Sequence, residues 1–336
     1  MKNEFLVGDN LHILSELPAN FCDLVYMDPP YNTGRNFGEF DDKFDSMKDY
    51  AEGFLAPRFA AIKRILTKEG NIVVHVEPKN SHYVRLALDE CFGEKNFRNE
   101  IAWKSGGNAK NLKQLGRHHD VLLVYSKSKT PIFNAQYKPY DDEYKKRSSA
   151  KQMPQEISTF DLDSSASSSS QSERFNKPTP HAGRWYVTTA LHNAQPDVNP
   201  RPNLRYEWNG HFKQWYCTQE RMKNLHKQDR LNYNRPGVPR IIRFLDEMDG
   251  IPIKDLWTDI NQIQSPEKLN YPTQKPVGLL KRVISLYSDP GSMVVDPYAG
   301  SGTTARAARD LGRSYLMIDV NPNAKNVFHQ SITEER

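Results

Sequence analysis

Cysteine is scarce in this chain: of 336 residues only Cys22, Cys91 and Cys217 are cysteines, and they lie far apart. That spacing argues against a disulfide framework and against a zinc site built on paired thiolates. His118 and His119 have no neighbouring cysteine or carboxylate triad, so no metal site is expected. There is no long apolar run, and the mean hydropathy of −0.76 excludes a membrane span. The opening Met1-Lys2-Asn3-Glu4-Phe5 puts an acid where a signal peptide carries basic and apolar regions, and a cytoplasmic protein is the expectation. Internal repeats are absent too. The length suits one large α/β domain with an insertion, or two domains.

Charge is present but unevenly spread. The net charge is +5, yet residues 1–55 carry eleven acids against four bases. Residues 104–151 carry eleven bases against four acids, and residues 174–243 thirteen against four. In the last stretch Trp185, Tyr186, Tyr206, Trp208, Trp215 and Tyr216 are interleaved with the bases. A solvated surface would explain a charge run alone, whereas basic stretches mixed with aromatics suit a polyanion with stackable bases.

Cys22 to Met27 reads as a buried strand, and Asp28-Pro29-Pro30-Tyr31 follows where it would leave the sheet. A strand ending in a rigid turn is the plain explanation. The functional one is that ligands of open α/β sheets bind outside the carboxyl ends of strands. There Asp28 accepts hydrogen bonds and Pro29 offers a carbonyl. Pro30 fixes the turn, and Tyr31 presents a face on which a base can stack.

Further apolar runs at residues 5–7, 72–76, 100–103, 121–125, 293–295 and 315–318 predict the remaining strands. Between the second and third, Leu55, Phe59, Ile62 and Leu66 recur at helical spacing, with Gly70 as the expected stop. Strand–helix–strand of this kind builds a parallel sheet. Residues 104–119 form a long basic loop, a candidate for contact with a polyanion backbone through Lys104, Lys110, Lys113, Arg117 and His118, or for closure over the site. Past Lys129 the chain becomes proline-rich, aromatic and irregular up to about Pro252, including the serine-rich run 164–170, and reads as a mixed or mostly β insertion.

Order returns at Asp255, and a strand ending in Asp296 leads into Pro297-Tyr298-Ala299-Gly300-Ser301-Gly302-Thr303-Thr304. A helix from Thr304 to Leu311, capped by Gly312, and a strand ending in Asp319 should follow. Gly300, Gly302 and Ala305 match a dinucleotide fingerprint, with Asp319 where a ribose would be gripped. A nicotinamide-dependent dehydrogenase is therefore a rival reading; a P-loop is not, since no lysine follows the glycines. Against the dehydrogenase, Asp296 would repel a diphosphate, and the fingerprint comes late in the chain. Three acids, Asp28, Asp296 and Asp319, suit a cationic, phosphate-free nucleoside such as S-adenosylmethionine.

Taken together, Asp28-Pro29-Pro30-Tyr31, Tyr298-Ala299-Gly300-Ser301-Gly302 and Thr273-Gln274-Lys275-Pro276 resemble the motifs of the β-arranged amino-methylating DNA methyltransferases, including type III restriction–modification methylase subunits. Tyr31-Asn32-Thr33-Gly34, residues 92–97 and residues 255–260 extend the resemblance over most of the chain outside 130–240. It implies a seven-stranded, mostly parallel, doubly wound α/β sheet of permuted Rossmann-like order. Residues 1–129 would be the catalytic half, 130–254 a target-recognition insertion and 255–336 the cofactor-binding half.

By the same resemblance Asp28 to Tyr31 are catalytic. S-adenosylmethionine would be held by Asp28, Gln274, Lys275, Pro276, Asp296, Tyr298, Ala299, Gly300, Ser301, Gly302, Thr303, Thr304 and Asp319. Double-stranded DNA is the implied substrate, with a homodimer and a restriction subunit as further partners. An Asp-initiated tetrapeptide goes mainly with adenine N6 in this family and a Ser-initiated one with cytosine N4. Adenine is therefore expected, with cytosine N4 as the alternative. Cytosine C5 chemistry would need a cysteine after proline, and Phe21, Glu90 and Tyr216 precede the three cysteines. A DNA-binding subunit without catalysis is a further alternative, disfavoured by the intact Asp28–Tyr31.

Overall fold

The computed structural model describes residues 3–32, 35–36, 41–106, 115–148, 150–160, 174–263, 267–269, 271 and 273–333. The chain divides into two compact units, one of residues 1–136 with 253–336 and one of residues 137–252.

The first unit is built on a sheet of eight strands: β1 (Glu4–Val7), β2 (Cys22–Met27), β3 (Leu66–Val76), β4 (Phe97–Trp103), β5 (Asp120–Ser126), β6 (Leu256–Trp257), β7 (Met293–Asp296) and β8 (Ser314–Asp319). Their spatial order is β1, β8, β7, β2, β3, β5, β4, β6. Five neighbours from β1 to β3 run parallel, β5 runs antiparallel to β3 and β4, and β6 pairs parallel with β4. The sheet thus has one strand more than the seven expected. The addition is β6, whose two residues are too short to show a strand pattern in sequence.

Six helices cover the two faces: α1 (Asn10–Glu16), α2 (Ala56–Ile65), α3 (Ser81–Phe92), α4 (Val277–Tyr287), α5 (Thr303–Asp310) and α6 (Pro322–Thr333). Alternation along β2 decides which face each side chain enters. Val25 and Met27 pack with Leu14 of α1, Phe59 of α2 and Val84 of α3. Leu24 and Tyr26 pack with Leu280 and Ile284 of α4, Ala305 of α5 and Phe328 of α6. All seven residues of β5 are buried, as a strand covered on both faces requires.

The helix carrying Phe59 ends at Ile65 and does not reach Gly70, which lies inside β3. Register against β2 shifts between Cys22 and Leu24, and a Cβ at Gly70 would stand 3.1 Å from the Asp23 carbonyl oxygen. Glycine is there for close backbone approach at a bulge, not for a helix stop. Gly312 does cap α5: at φ +70° it donates to the Arg309 carbonyl while Arg313 donates to that of Ala308.

Residues 130–136 run back along the first unit, with Ile132 donating to the Glu69 carbonyl at 3.0 Å and Asn134 to that of Leu286 at 2.8 Å. The second unit accordingly begins at Tyr137. It holds a four-stranded antiparallel sheet in the order 231–233, 239–244, 185–190, 151–152. A hairpin pairs Arg205–Trp208 with His211–Gln214 through Asn209-Gly210, both at positive φ (51° and 74°), the conformation such two-residue turns demand. Its core gathers Trp208, Trp215, Met222, Leu225 and Leu231. Met222 and Leu225 come from a helix, Gln219–Lys227, capped by Thr218, that the irregular sequence did not announce.

Candidate functional site

β7 and β2 are neighbours at the centre of the sheet, yet the chain leaves them in opposite directions. After β7 it turns into α5 on one face, and after β2 it proceeds to α2 on the other. Such a switch point opens a crevice at the carboxyl ends of the strands. A cavity of about 380 Å³ lies there, lined by Asp28–Tyr31, Asp296–Ser301, Thr303, Thr304 and Asp319 among others. The ends of three adjacent strands therefore supply three carboxylates to one cavity.

The Asp28 carboxylate is fixed from two sides. The Tyr31 hydroxyl donates to its Oδ1, and the Lys275 ammonium, whose own side chain is 16% exposed, donates to Oδ2. Lys275 Nζ also stands 5.5 Å from the centroid of the Tyr31 ring. The backbone beneath Tyr31 is pinned, because buried Asn80 donates its amide to the Tyr31 carbonyl. Behind the ring lies His75, fully buried, with centroids 6.3 Å apart. His75 joins Tyr26 Oη at 2.9 Å and Asp120 at 3.4 Å, and Trp103 meets it edge-on at 5.8 Å. Burial is the main reason that the Tyr31 hydroxyl titrates well above the usual tyrosine range, with the Asp28 charge adding to it. It therefore stays a hydrogen-bond donor.

The glycine loop is organised by its own acids. Asp296 is 2% exposed and accepts from the Tyr298 amide at 2.9 Å and from Thr304 Oγ1 at 2.5 Å. Burial pushes its pKa up to about 7, and the nearby charges of Asp28 and Asp319 push the same way. Asp319 accepts from the Gly300 amide at 2.8 Å and from the Asn321 amide at 2.8 Å. Gly300 and Gly302 have φ of +49° and +79°. A Cβ at Gly300 would stand 3.0 Å from the Tyr271 ring, and one at Gly302 would meet Phe328 of α6 at 2.5 Å. Gly300 thus lines the cavity, while Gly302 lets α5 and α6 close up behind it.

The segment carrying Lys275 is braced. Gln274 spends its side chain on the Leu269 amide (2.7 Å) and the Glu267 carbonyl (2.9 Å), and Glu267 Oε1 caps α4 through the Val277 amide. Pro276 occupies the N-cap position of α4. Gln274 and Pro276 are therefore supports, and Thr273 and Lys275 are the members of that motif that line the cavity.

Of the expected DNA contacts, Lys104 and His118 are exposed. Arg117 is instead engaged with Glu77 and approaches Asp120 at 4.0 Å, which makes it the outer end of the His75 network rather than a free cation. Lys110, Lys113, Thr33 and Gly34 lie outside the described residues.

The crevice also holds residues that sequence reasoning passed over. Arg58 donates Nε to Asn10 Oδ1 at 2.7 Å and Nη2 to Asp9 at 3.3 Å, and stacks over Phe54 at 3.9 Å. Asn10 in turn donates to the Pro297 carbonyl at 2.8 Å, tying α1 to the glycine loop. Asp9 caps α1 by accepting from the His12 amide at 3.0 Å. An acid two residues beyond a first strand was the available signal for Asp9. Arg58 had none, since its partners are 48 and 49 residues away.

An open α/β sheet with an acid-lined crevice at its switch point places the chain in the class of α/β proteins whose ligand site lies at the carboxyl ends of the strands. A family model described as DNA methylase matches residues 22–330, and the chain belongs to that family. The type II methyltransferase M.EcaI of Enterobacter cloacae is 27% identical over 95% of this chain and 67% of its own length. The StyLTI Mod subunit, a type III restriction-modification protein of Salmonella typhimurium, is 24% identical over 96% of this chain, which spans about half (53%) of that relative. The DNA adenine methyltransferase YhdJ of Escherichia coli is 24% identical over 94% of this chain and 77% of its own length. Among solved structures, the PvuII DNA methyltransferase, described as cytosine-N4-specific, superposes with a TM-score of 0.51 at 13% identity, covering all of this chain and 88% of the other. The M1.HpyAVI–SAM complex gives 0.50 at 15% identity over 98% and 99%. These two likenesses are of fold.

Proposed function

We propose that this chain methylates the exocyclic N6 amine of adenine in double-stranded DNA, using S-adenosylmethionine. The observation that carries the reading is that Asp28, with Pro29 beside it, lines one cavity together with Asp296, the glycine loop and Asp319. The cavity suits the cofactor: its size is in the range of small-ligand pockets, and a buried carboxylate whose pKa is pushed up to about 7 gains most from a cation beside it. Asp319 and the Gly300 backbone would hold the nucleoside, and Thr273 and Lys275 the amino-acid arm. When bound, S-adenosylmethionine supplies a methyl group on a sulfonium that departs as a thioether.

The chain's own residues do the rest. Extrusion of the target base costs about a few kcal/mol. Stacking on Tyr31 returns roughly 1–3 kcal/mol of that. Asp28 and the Pro29 carbonyl accept the two amine hydrogens, drawing the nitrogen lone pair out of ring conjugation and aiming it at the methyl carbon. The nitrogen then sheds one proton, with Asp28 the nearest acceptor. Positioning and electrostatics supply the catalysis, and no covalent nucleophile takes part.

Lys104 and His118, with Lys110 and Lys113, are offered as DNA backbone contacts, and residues 137–252 as the part that reads sequence. The names of the relatives support the reading: one is an adenine methyltransferase and another a Mod subunit, so a restriction subunit is a candidate partner, while a homodimer is offered on the motif resemblance alone. Methylation of cytosine N4 is the second reading, since the same acceptor pair serves any exocyclic amine. Incubating genomic DNA with heavy-methyl S-adenosylmethionine, then digesting it for nucleoside mass spectrometry, separates them. Labelled N6-methyladenine is expected. Labelled N4-methylcytosine would overturn the base, and no labelled nucleoside would overturn the activity.

A further inference from the structure

Lys275 reaches Asp28 across 247 residues of sequence, and the pair sits where the reaction needs an open acceptor. The ammonium donates to Asp28 Oδ2, the kind of bond that a target amine would make there, and lies 5.5 Å from the centroid of the Tyr31 ring on which the base would stack. An N–H donor and a positive charge thus stand in the position of the exocyclic amine. Both partners are largely shielded, with side chains 16% and 14% exposed, so water competes weakly for either. The backbone under Lys275 is fixed by the Gln274 and Glu267 bonds, which leaves only the lysine stem to move. Lys275 lines the same cavity as the carboxylates Asp296 and Asp319, both of which already accept from their own loops.

We propose that Lys275 is a positioning residue that couples the two binding events: it holds Asp28 until a cofactor carboxylate takes its ammonium, and only then does Asp28 accept the base amine. This rests on the methyltransferase reading above and deepens it, predicting an order of binding. A lysine ammonium has three N–H donors, but shared between two carboxylates it neutralises each less than one that it serves alone. A ligand that binds one arrangement better shifts the population by its differential affinity. The carboxylate of the cofactor's amino-acid arm, rather than its nucleoside, is the part that releases Asp28.

The test uses the full chain and a duplex carrying a site mapped by the labelled methyl transfer above, with 2-aminopurine as the base next to the target adenine, so that its fluorescence rises when the adenine leaves the stack and the adenine keeps its N6 amine. S-adenosylhomocysteine should tighten extrusion by about tenfold over no cofactor, the usual scale of such coupling. Decarboxylated S-adenosylhomocysteine, at concentrations that saturate the site, should leave it within about twofold of no cofactor. Lys275→Met should extrude the base equally well with and without S-adenosylhomocysteine. Equal extrusion by the wild type with and without S-adenosylhomocysteine would overturn the proposal, as would full stimulation by the decarboxylated compound. The two wild-type comparisons stand even if Lys275→Met fails to fold. Labelled methyl transfer by the same wild-type preparation separates the cases: transfer with no coupling refutes the role of Lys275 alone, and absence of transfer refutes the activity.

Discussion

Asp28 directly follows β2 and Asp296 ends the neighbouring parallel strand β7, and the two acids are held differently. Asp28 accepts from two side chains that line the cavity with it, the Tyr31 hydroxyl three residues on and the Lys275 ammonium 247 residues away. Asp296 is turned inward onto its own loop, through the Tyr298 amide and the Thr304 hydroxyl, and is buried almost completely. The same residue type at the carboxyl ends of neighbouring strands is thus, in the proposed mechanism, an acceptor for the substrate in one loop and an organiser in the other. What separates them is the following sequence. Two prolines after Asp28 withhold the amide hydrogens that a carboxylate would otherwise gather. After Asp296 the chain has one proline, then Tyr298 and a helix N-terminus that donate to it.

That contrast predicts unequal consequences of substitution. The largest belongs to Asp28→Ala, which should reduce methyl transfer by about a thousandfold or more, as loss of a group acting in the transition state does. Calorimetry should find cofactor binding retained or tightened, since the Asp296 loop is untouched and Lys275 is no longer held by Asp28.

Next is Gly302→Ala. Strain at φ +79° and the overlap with Phe328 should together cost about 2–4 kcal/mol, read in denaturant melts. Gly312→Ala is the control, because its φ is +70° but no atom lies within 4 Å of the added methyl, so it should cost only about 1–2 kcal/mol.

A smaller effect concerns pH. Burial holds the Asp296 pKa at about 7 when folded, above the ordinary carboxylate range, so between these values the folded chain keeps a proton that the unfolded chain has released. Its contribution to stability is therefore complete below about pH 4 and fades as the pH rises through about 7. A cationic ligand favours the ionised form, so cofactor affinity should rise by up to about tenfold between pH 6 and pH 8. Asp296→Asn should flatten that rise in titration calorimetry. The smallest effect is that of Tyr31→Phe. It removes one hydrogen bond to Asp28 but keeps the stacking face, so turnover should fall by about tenfold at most, whereas Tyr31→Ala should lose more.

Both acids were legible in sequence, and for the same reason: an unbroken apolar run marks a buried strand, and a polar residue at its end marks the way out. Asp319 and the glycine loop followed from that logic as well. What escaped depends on the fold bringing distant segments together. Arg58 sits on the buried side of an ordinary helix, and nothing local says that Asp9 and Asn10 will meet it. The Lys275–Asp28 pair joins two motifs, each readable alone, whose contact no spacing reveals. Gly70 misled because a glycine after a helical stretch resembles a stop, while its actual constraint is the Asp23 backbone of the neighbouring strand. In the second unit the tryptophans looked like stacking surfaces, yet Trp208 and Trp215 are core residues, with the Trp215 indole donating to the Tyr206 carbonyl at 2.8 Å.

The division of labour between the two acids is tested most directly by single-turnover methyl transfer to DNA at saturating S-adenosylmethionine, with Asp28→Ala and Asp296→Asn run side by side. The account predicts no detectable transfer by Asp28→Ala and a rate within about tenfold of wild type for Asp296→Asn, whose defect saturation conceals. Transfer by Asp28→Ala at a rate near wild type would contradict it.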